Sequence, residues 1–234
     1  MVYVSSDWHG VSLDKIEKML EKIHFNNDDI LYVLGDVVDR GDHGVELLKF
    51  IMREPNIKLL RGNHEQMLLL CEYLFDDSDT SLNDLNVLQM RHLRIWKSNG
   101  GNTTIEGMYK ESSKMRKMIL EYLYETSLYD FIKVGNMYYL LVHAGLGESK
   151  NVTLDELAEY PENEFLWTRP SISTSYSKEF TTVFGHTPTH FYSEEYKGRI
   201  IKTETWINVD VGAGKGINLA ILRLDDMKEF YLIE

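Results

Sequence analysis

The chain reads as an α/β protein on three observations. Short apolar runs of strand type recur along it, amphipathic helical patterns separate the first three of them, and the runs repeatedly stop at polar clusters. Runs of four to eight residues rich in Val, Ile and Tyr suit buried strands, and strands alternating with helices call for a parallel sheet.

The first run, "VYVS", ends at Ser6-Asp7-Trp8-His9-Gly10, and residues 11–23 then space Leu13, Ile16, Met19, Leu20 and Ile23 at three and four, one face of a helix. "ILYVL" stops at Gly35-Asp36, with helical spacing again over 44–53. "IKLL" stops at Arg61-Gly62-Asn63-His64-Glu65, followed by a helical pattern over 64–75. Residues 76–128 break the alternation: acidic "DDSD" precedes the mostly helical "LNDLNVLQMRHLRIW" and "SSKMRKMILEYLYETS", a helical insertion. Strands return with "YYLLV" before His143-Ala144-Gly145, "TTVF" before Gly185-His186-Thr187-Pro188 and "WINV" before Asp210. A last pair, "INLAILRL" and "EFYLIE", flanks the turn-like "DDMK". Only four prolines and no low-complexity stretch mark a linker, so a single domain over 1–234 is expected.

Composition narrows the classes of function. With 25 basic and 37 acidic residues the net charge is −12, which disfavours nucleic acid as a bulk partner, since phosphate backbones are repelled. Phosphate can still be bound where local cations are supplied. The single Cys71 cannot form an internal disulfide and lies in the apolar run "MLLLCEYLF", the setting of a buried core thiol. The first residues, "MVYVSSDWHG", carry no basic region leading into an apolar stretch, and no apolar run reaches the roughly 18 residues of a membrane span. A soluble cytoplasmic location with no membrane partner is the expectation.

Ligands of open α/β sheets bind outside the carboxyl ends of strands, so the polar clusters are expected to converge. They supply Asp7, His9, Asp36, Asp39, Asn63, His64, His143 and His186, with arginines nearby: a mixed nitrogen and oxygen donor set suited to Mn, Fe or Zn. Asp7 and His9 are two apart and leave the same face of an extended segment. Gly35 allows a sharp turn that would bring the Asp36 carboxylate to the sheet edge, where its two oxygens could bridge two cations. Singly, each of these residues has an ordinary reading as a cap, a turn former or a core histidine. Their joint occurrence at successive strand ends is what points to a metal site.

The motifs "DWH" (7–9), "GDVVDRG" (35–41), "GNHE" (62–65), "HAG" (143–145) and "GHT" (185–187), in this order, resemble the metallophosphoesterase superfamily. "GDVVDRG" and "RGNHE" are similar to its phosphoprotein phosphatase branch, and "WTRP" (167–170) to a tryptophan-x-arginine segment of bacterial and phage members. The resemblance implies a calcineurin-like β-sandwich flanked by helices. It implies Asp7, His9 and Asp36 as ligands of one metal, and Asp36, Asn63, His143 and His186 as ligands of a second. It further implies His64 as general acid with Asp39 as its partner, and Arg40 and Arg169 as phosphate binders. The two metals would be Mn, with Fe or Zn as alternatives. The implied activity is a serine/threonine protein phosphatase acting on phosphorylated proteins; a symmetrical dinucleoside tetraphosphate hydrolase shares the same metal-site motifs. A scaffold without turnover would be expected to have lost ligands, and here every position is filled.

Glu65 reads as structural support in the first turn of a helix. "NGG" at 99–101 reads equally as a helix junction or a substrate loop, and Trp8 as core packing or as a cover for the site. "VDVGAGKG" does not follow the G-x-G-x-x-G spacing of a dinucleotide-binding loop, and no chemistry is assigned to Val211. His24, His43, His92 and His190 are read as structural or surface residues.

Overall fold

The computed structural model describes residues 1–76, 85–147, 153–157 and 159–233. Two five-stranded mixed sheets face each other, with helices on both outer surfaces. The first sheet is built from β1 (Val2–Ser5), β2 (Ile30–Val33), β3 (Ile57–Leu59) and the C-terminal hairpin β9 (Asn218–Arg223) and β10 (Lys228–Ile233), in the order β10-β9-β1-β2-β3. The second contains β4 (Tyr129–Val134), β5 (Met137–Val142), β6 (Thr181–Phe184), β7 (Ile201–Lys202) and β8 (Trp206–Asn208), in the order β4-β5-β6-β8-β7.

The β-strand period of two sorts the side chains between layers. In β1, Val4 enters the core shared by the two sheets while Tyr3 faces the outer helices. In β5, Tyr139 and Leu141 point between the sheets, and Leu140 and Val142 point outward. Outside the first sheet pack α1 (Leu13–Lys22), α2 (Gly44–Ile51), α3 (Asn63–Leu70), α4 (Val87–Ser98), α5 (Asn102–Lys110) and α6 (Ser113–Glu125), around Leu47, Leu68, Trp96 and Leu123. Outside the second, α7 (Leu154–Leu157) and α8 (Glu162–Trp167) help to cover Phe165, Phe184 and Trp206. The order helix, sheet, sheet, helix is the sandwich that the resemblance implies.

Several sequence expectations can be placed. β1, β2 and β3 pair in parallel, as the alternation of strand and helix requires. The helical pattern over 64–75 is two pieces, since α3 stops at Leu70 and a 3₁₀ turn takes over at Glu72–Phe75. The insertion is helical where described, as α4, α5 and α6; most of its acidic start lies in 77–84, outside the described residues. Strand β4 was not expected from the sequence. Its signal is the turn Gly135-Asn136, with Gly135 at φ +59°, which pairs Val134 with Met137. Cys71 is fully buried and its thiol is pushed up to about 11 by desolvation, as a core residue should be. Trp8 is core, 1% exposed, with its indole N–H donated to Ser5 Oγ at 2.9 Å.

The topology that positions the site repeats in the two sheets. β1, β2 and β3 are mutually parallel, and so are β5, β6 and β8. The polar clusters follow the carboxyl ends of these strands, and the ends meet at one edge of the sandwich.

Candidate metal centre

Every sequence-predicted site residue from the strand ends comes together there, buried. Asp7, His9, Asp36, Asp39, Asn63, His64, His143 and His186 are all at most 6% exposed. The backbone is bent hard to bring them in. Asp7, His9, Asp36, Asp39, Arg40 and His186 all have positive φ, between +44° and +70°, a region that L-residues with side chains rarely occupy. The sequence suggested that Gly35 would take the turning. Gly35 does, at φ +84°, while Gly41 serves close approach, because a Cβ there would sit 2.3 Å from the Gly10 carbonyl oxygen. Much of the turning is borne by the candidate site residues themselves.

Hydrogen bonds fix the imidazole tautomers. His143 Nδ1 lies 2.7 Å from the Leu34 carbonyl oxygen and His9 Nδ1 3.1 Å from that of Val38. A carbonyl only accepts, so both Nδ1 atoms carry the proton and both Nε2 atoms present a lone pair. Carboxylate and amide oxygens crowd these lone pairs. His143 Nε2 is 2.9 Å from Asn63 Oδ1, 3.1 Å from His186 Nδ1 and 3.5 Å from Asp36 Oδ1. His9 Nε2 is 3.6 Å from Asp36 Oδ2 and 3.7 Å from Asp7 Oδ1, and is buried without a hydrogen-bond partner. Lone pairs gathered around one carboxylate repel unless cations lie between them. The donor set therefore fits bound cations, which these residues would hold around Asp36.

Two close groups of donors stand out, His9 with Asp36 and His64, and Asp36 with His143 and His186. Asp7 is tied differently: its Oδ2 accepts from the His186 backbone N–H at 2.8 Å and from Ser6 Oγ at 2.5 Å, leaving Oδ1 toward His9. His64 Nδ1 donates to Asp39 Oδ2 at 2.6 Å, and its Nε2 lies 3.3 Å from an Arg40 guanidinium nitrogen. A neighbouring cation disfavours a metal at that nitrogen. Arg169, following α8, reaches Thr187 Oγ1 at 3.1 Å and the His186 carbonyl at 3.3 Å.

The electrostatics follow from burial and neighbours. Burial works to raise the Asp36 carboxyl, but His143, His64 and His9 outweigh it and hold it below the usual carboxylate range. Burial works to lower His64, and Asp36 and Asp39 reverse this and raise it. At His186 the nearby Asp36 and Asp7 are outweighed: desolvation, with His143 beside it, pushes it down to about 3.

Sequence reasoning missed part of the machinery. Glu65 does more than start a helix. Its Oε2 accepts from the backbone N–H groups of Asp36 and Gly62 at 2.8 and 2.9 Å, and its Oε1 from that of Val37 at 2.8 Å. Asp210 is buried close to Asp7, and burial with that neighbour raises its carboxyl well above the ordinary value. Gly214 sits against His9, where an added Cβ would come 2.5 Å from the His9 Cβ and 2.6 Å from the ring. Only the Gly62–Glu65 contact has a local signal, the capping-box spacing at the start of α3; the other partners are distant in sequence.

Comparison with known proteins bears on the same residues. The model of the family described as calcineurin-like phosphoesterase matches residues 1–211. A symmetrical bis(5'-nucleosyl)-tetraphosphatase of Haemophilus ducreyi is 41% identical over 70 residues, which is 29% of this chain and 25% of that protein. Serine/threonine-protein phosphatase 2 of Escherichia coli is 23% identical over 184 residues, 79% of this chain and 75% of that one. The chain spans only about a quarter of the length of the first curated relatives it matches. Among solved structures, a protein serine/threonine phosphatase of Saccharomyces cerevisiae superposes with a TM-score of 0.59 at 18% identity, covering 99% of this chain and 78% of that chain. A metallophosphoesterase of Sphaerobacter thermophilus does so at 0.52 and 14% identity, covering 100% and 87%. These two likenesses concern the fold.

Proposed function

We propose, from the premise that this chain belongs to the calcineurin-like phosphoesterase family, that it hydrolyses phosphoesters at a two-metal centre, acting on phosphoserine and phosphothreonine in proteins. One observation carries the reading: the fixed lone pairs of His9 and His143 each approach a different oxygen of Asp36, at 3.6 and 3.5 Å. Asp7, His9 and Asp36 would hold one ion, and Asp36, Asn63, His143 and His186 the other. Manganese is our first choice, with Fe or Zn as alternatives for this donor set. Bound there, such ions acidify water and neutralise charge on a phosphoryl group.

The chain's own groups supply the rest. Arg40 and Arg169 flank the centre, and planar guanidinium groups suit the equatorial oxygens of a transferring phosphoryl group. His64 Nε2 gives a proton to the departing alkoxide, a contribution of about 10²–10⁴-fold in comparable sites. Asp39, on Nδ1, keeps that ring oriented and favours its charged form. Beside the centre, Met67, Leu70, Arg91, Ile95 and Trp167 border a cleft of about 310 Å³ that could receive the remainder of a substrate.

Support for the protein-phosphatase reading comes from the relative matched over most of the chain. The higher identity of the shorter match favours a second reading, hydrolysis of symmetrical dinucleoside tetraphosphates. Both reactions need the same attack on phosphorus, so the metal-site motifs do not separate them. A manganese-supplemented panel assaying phosphoserine and phosphothreonine peptides beside the dinucleotide decides it. Preference for the peptides by kcat/KM is expected; a strong preference for the dinucleotide would overturn the choice.

A further inference from the structure

Residues 96–104, "WKSNGGNTT", belong to no element of the metal centre, yet they close on Asp39 from the insertion. Trp96 Nε1, at the end of α4, donates to Asp39 Oδ2 at 2.8 Å, the same oxygen that receives His64 Nδ1. Thr104 Oγ1, in the first turn of α5, donates to Asp39 Oδ1 at 2.5 Å and accepts from the Asp39 backbone N–H at 2.9 Å. Both oxygens of the carboxylate are thus held, and it cannot swivel. The glycines between the two helices make the fit possible. A Cβ on Gly101 would lie 2.6 Å from the Trp96 ring, and one on Gly100, at φ +102°, would lie 2.9 Å from Arg40 Cγ. The Gly100 carbonyl also accepts from the Arg40 backbone N–H at 3.1 Å. Trp96 and Asp39 are fully buried and Thr104 is 1% exposed, so water does not substitute for any of these bonds.

We propose that Trp96 and Thr104 are positioning residues for proton donation, the helix junction at 99–101 being the clamp that aligns Asp39, and through it His64, with the leaving oxygen. The inference rests on the phosphoester-hydrolase reading above and adds to it a role for the insertion in proton donation. An aligned acid matters most when the leaving group cannot depart unprotonated, and little when it can. Loss of the clamp should therefore show as a dependence on the leaving group, with kcat falling and KM nearly unchanged.

The test compares Thr104→Val, which keeps the shape and removes the hydroxyl, with Thr104→Ser, which restores it, and with Trp96→Phe. Each is assayed with Mn on p-nitrophenyl phosphate, whose leaving group is stable as the anion, and on a phosphoserine peptide or phenyl phosphate, whose leaving groups are not. Thr104→Val and Trp96→Phe should lose ~10-fold or more in kcat on the poor leaving groups, a fraction of the roughly 10²–10⁴ available to an acid, and much less on p-nitrophenyl phosphate. Thr104→Ser should recover most of it, and metal content should match the wild type. Equal losses on all esters, or failure of the serine variant to rescue a folded protein, would overturn the inference. A second readout needs no turnover: the low-field Nδ1 proton resonance of His64, expected in the wild type and weakened or shifted upfield in Thr104→Val. Were the wild type inactive on every ester, the hydrolase reading would fall, and that resonance, unchanged or moved, would still decide whether Thr104 aligns the pair.

Discussion

Replacing Glu65 by glutamine tests how the Asp36 loop is held. The Glu65 carboxylate is fully buried and accepts backbone N–H groups from two segments: Asp36 and Gly62 on one oxygen, Val37 at 2.8 Å and Val38 at 3.4 Å on the other. All the partners are donors, so the glutamine NH₂ must face donors wherever it is placed. Its least costly placement is toward Val37 and Val38, which leaves one good buried N–H without an acceptor, at about 1–3 kcal/mol. The bonds kept by the other oxygen become neutral, losing up to about half the strength of a charge-assisted bond. Part of this is offset, because burial and the nearby Asp36 already raise the Glu65 carboxyl above its ordinary value, and removing the charge relieves that penalty. A net destabilisation of roughly 2–4 kcal/mol follows, which for a chain of this size lowers Tm by about 4–16 °C. The assay is thermal unfolding of the metal-free protein by circular dichroism, with manganese titrated in parallel, since an unanchored Asp36 should also bind metal less tightly. A Tm unchanged to within ~1 °C, with wild-type manganese binding, would refute the reasoning that this carboxylate organises the loop.

Other outcomes can be checked on the same preparations. His64→Ala should lower turnover by about 10²–10⁴-fold on substrates with poor leaving groups while elemental analysis finds the wild-type metal content; metal loss matching that of a ligand variant would count against its role as acid. Asp36→Asn should reduce occupancy of both ions together, because each side of the centre faces one of its oxygens; full occupancy would contradict bridging. For the metal-free protein, desolvation holds His9 and His186 below the ordinary imidazole value, His186 at about 3. The unfolded chain then binds more protons below pH ~6.5, so this stability is present above that pH and declines as pH falls toward 3. Urea midpoints measured between pH 8 and 5 should fall toward acid, and manganese affinity should fall with them, since protons compete for the same nitrogens.

The sequence carried the ends of the strands and the chemistry placed on them. Alternating apolar runs set the β1-β2-β3 unit, and five motifs supplied the donors that prove to be buried together, because strand period, turn residues and metal-binding side chains are all local in sequence. What was not local was not legible. Tertiary structure decided that β5, β6 and β8 form a second parallel set facing the first, which is why His143 and His9 can each face a different oxygen of Asp36. It also decided that the strained φ values fall on Asp36, Asp39 and Arg40, that Glu65 ties two segments, and that Trp96 and Thr104 reach Asp39 from an insertion 57 and 65 residues away. Hydrogen bonds and lone-pair directions between distant segments depend on how the layers pack, and a spacing of residue types along the chain does not encode it.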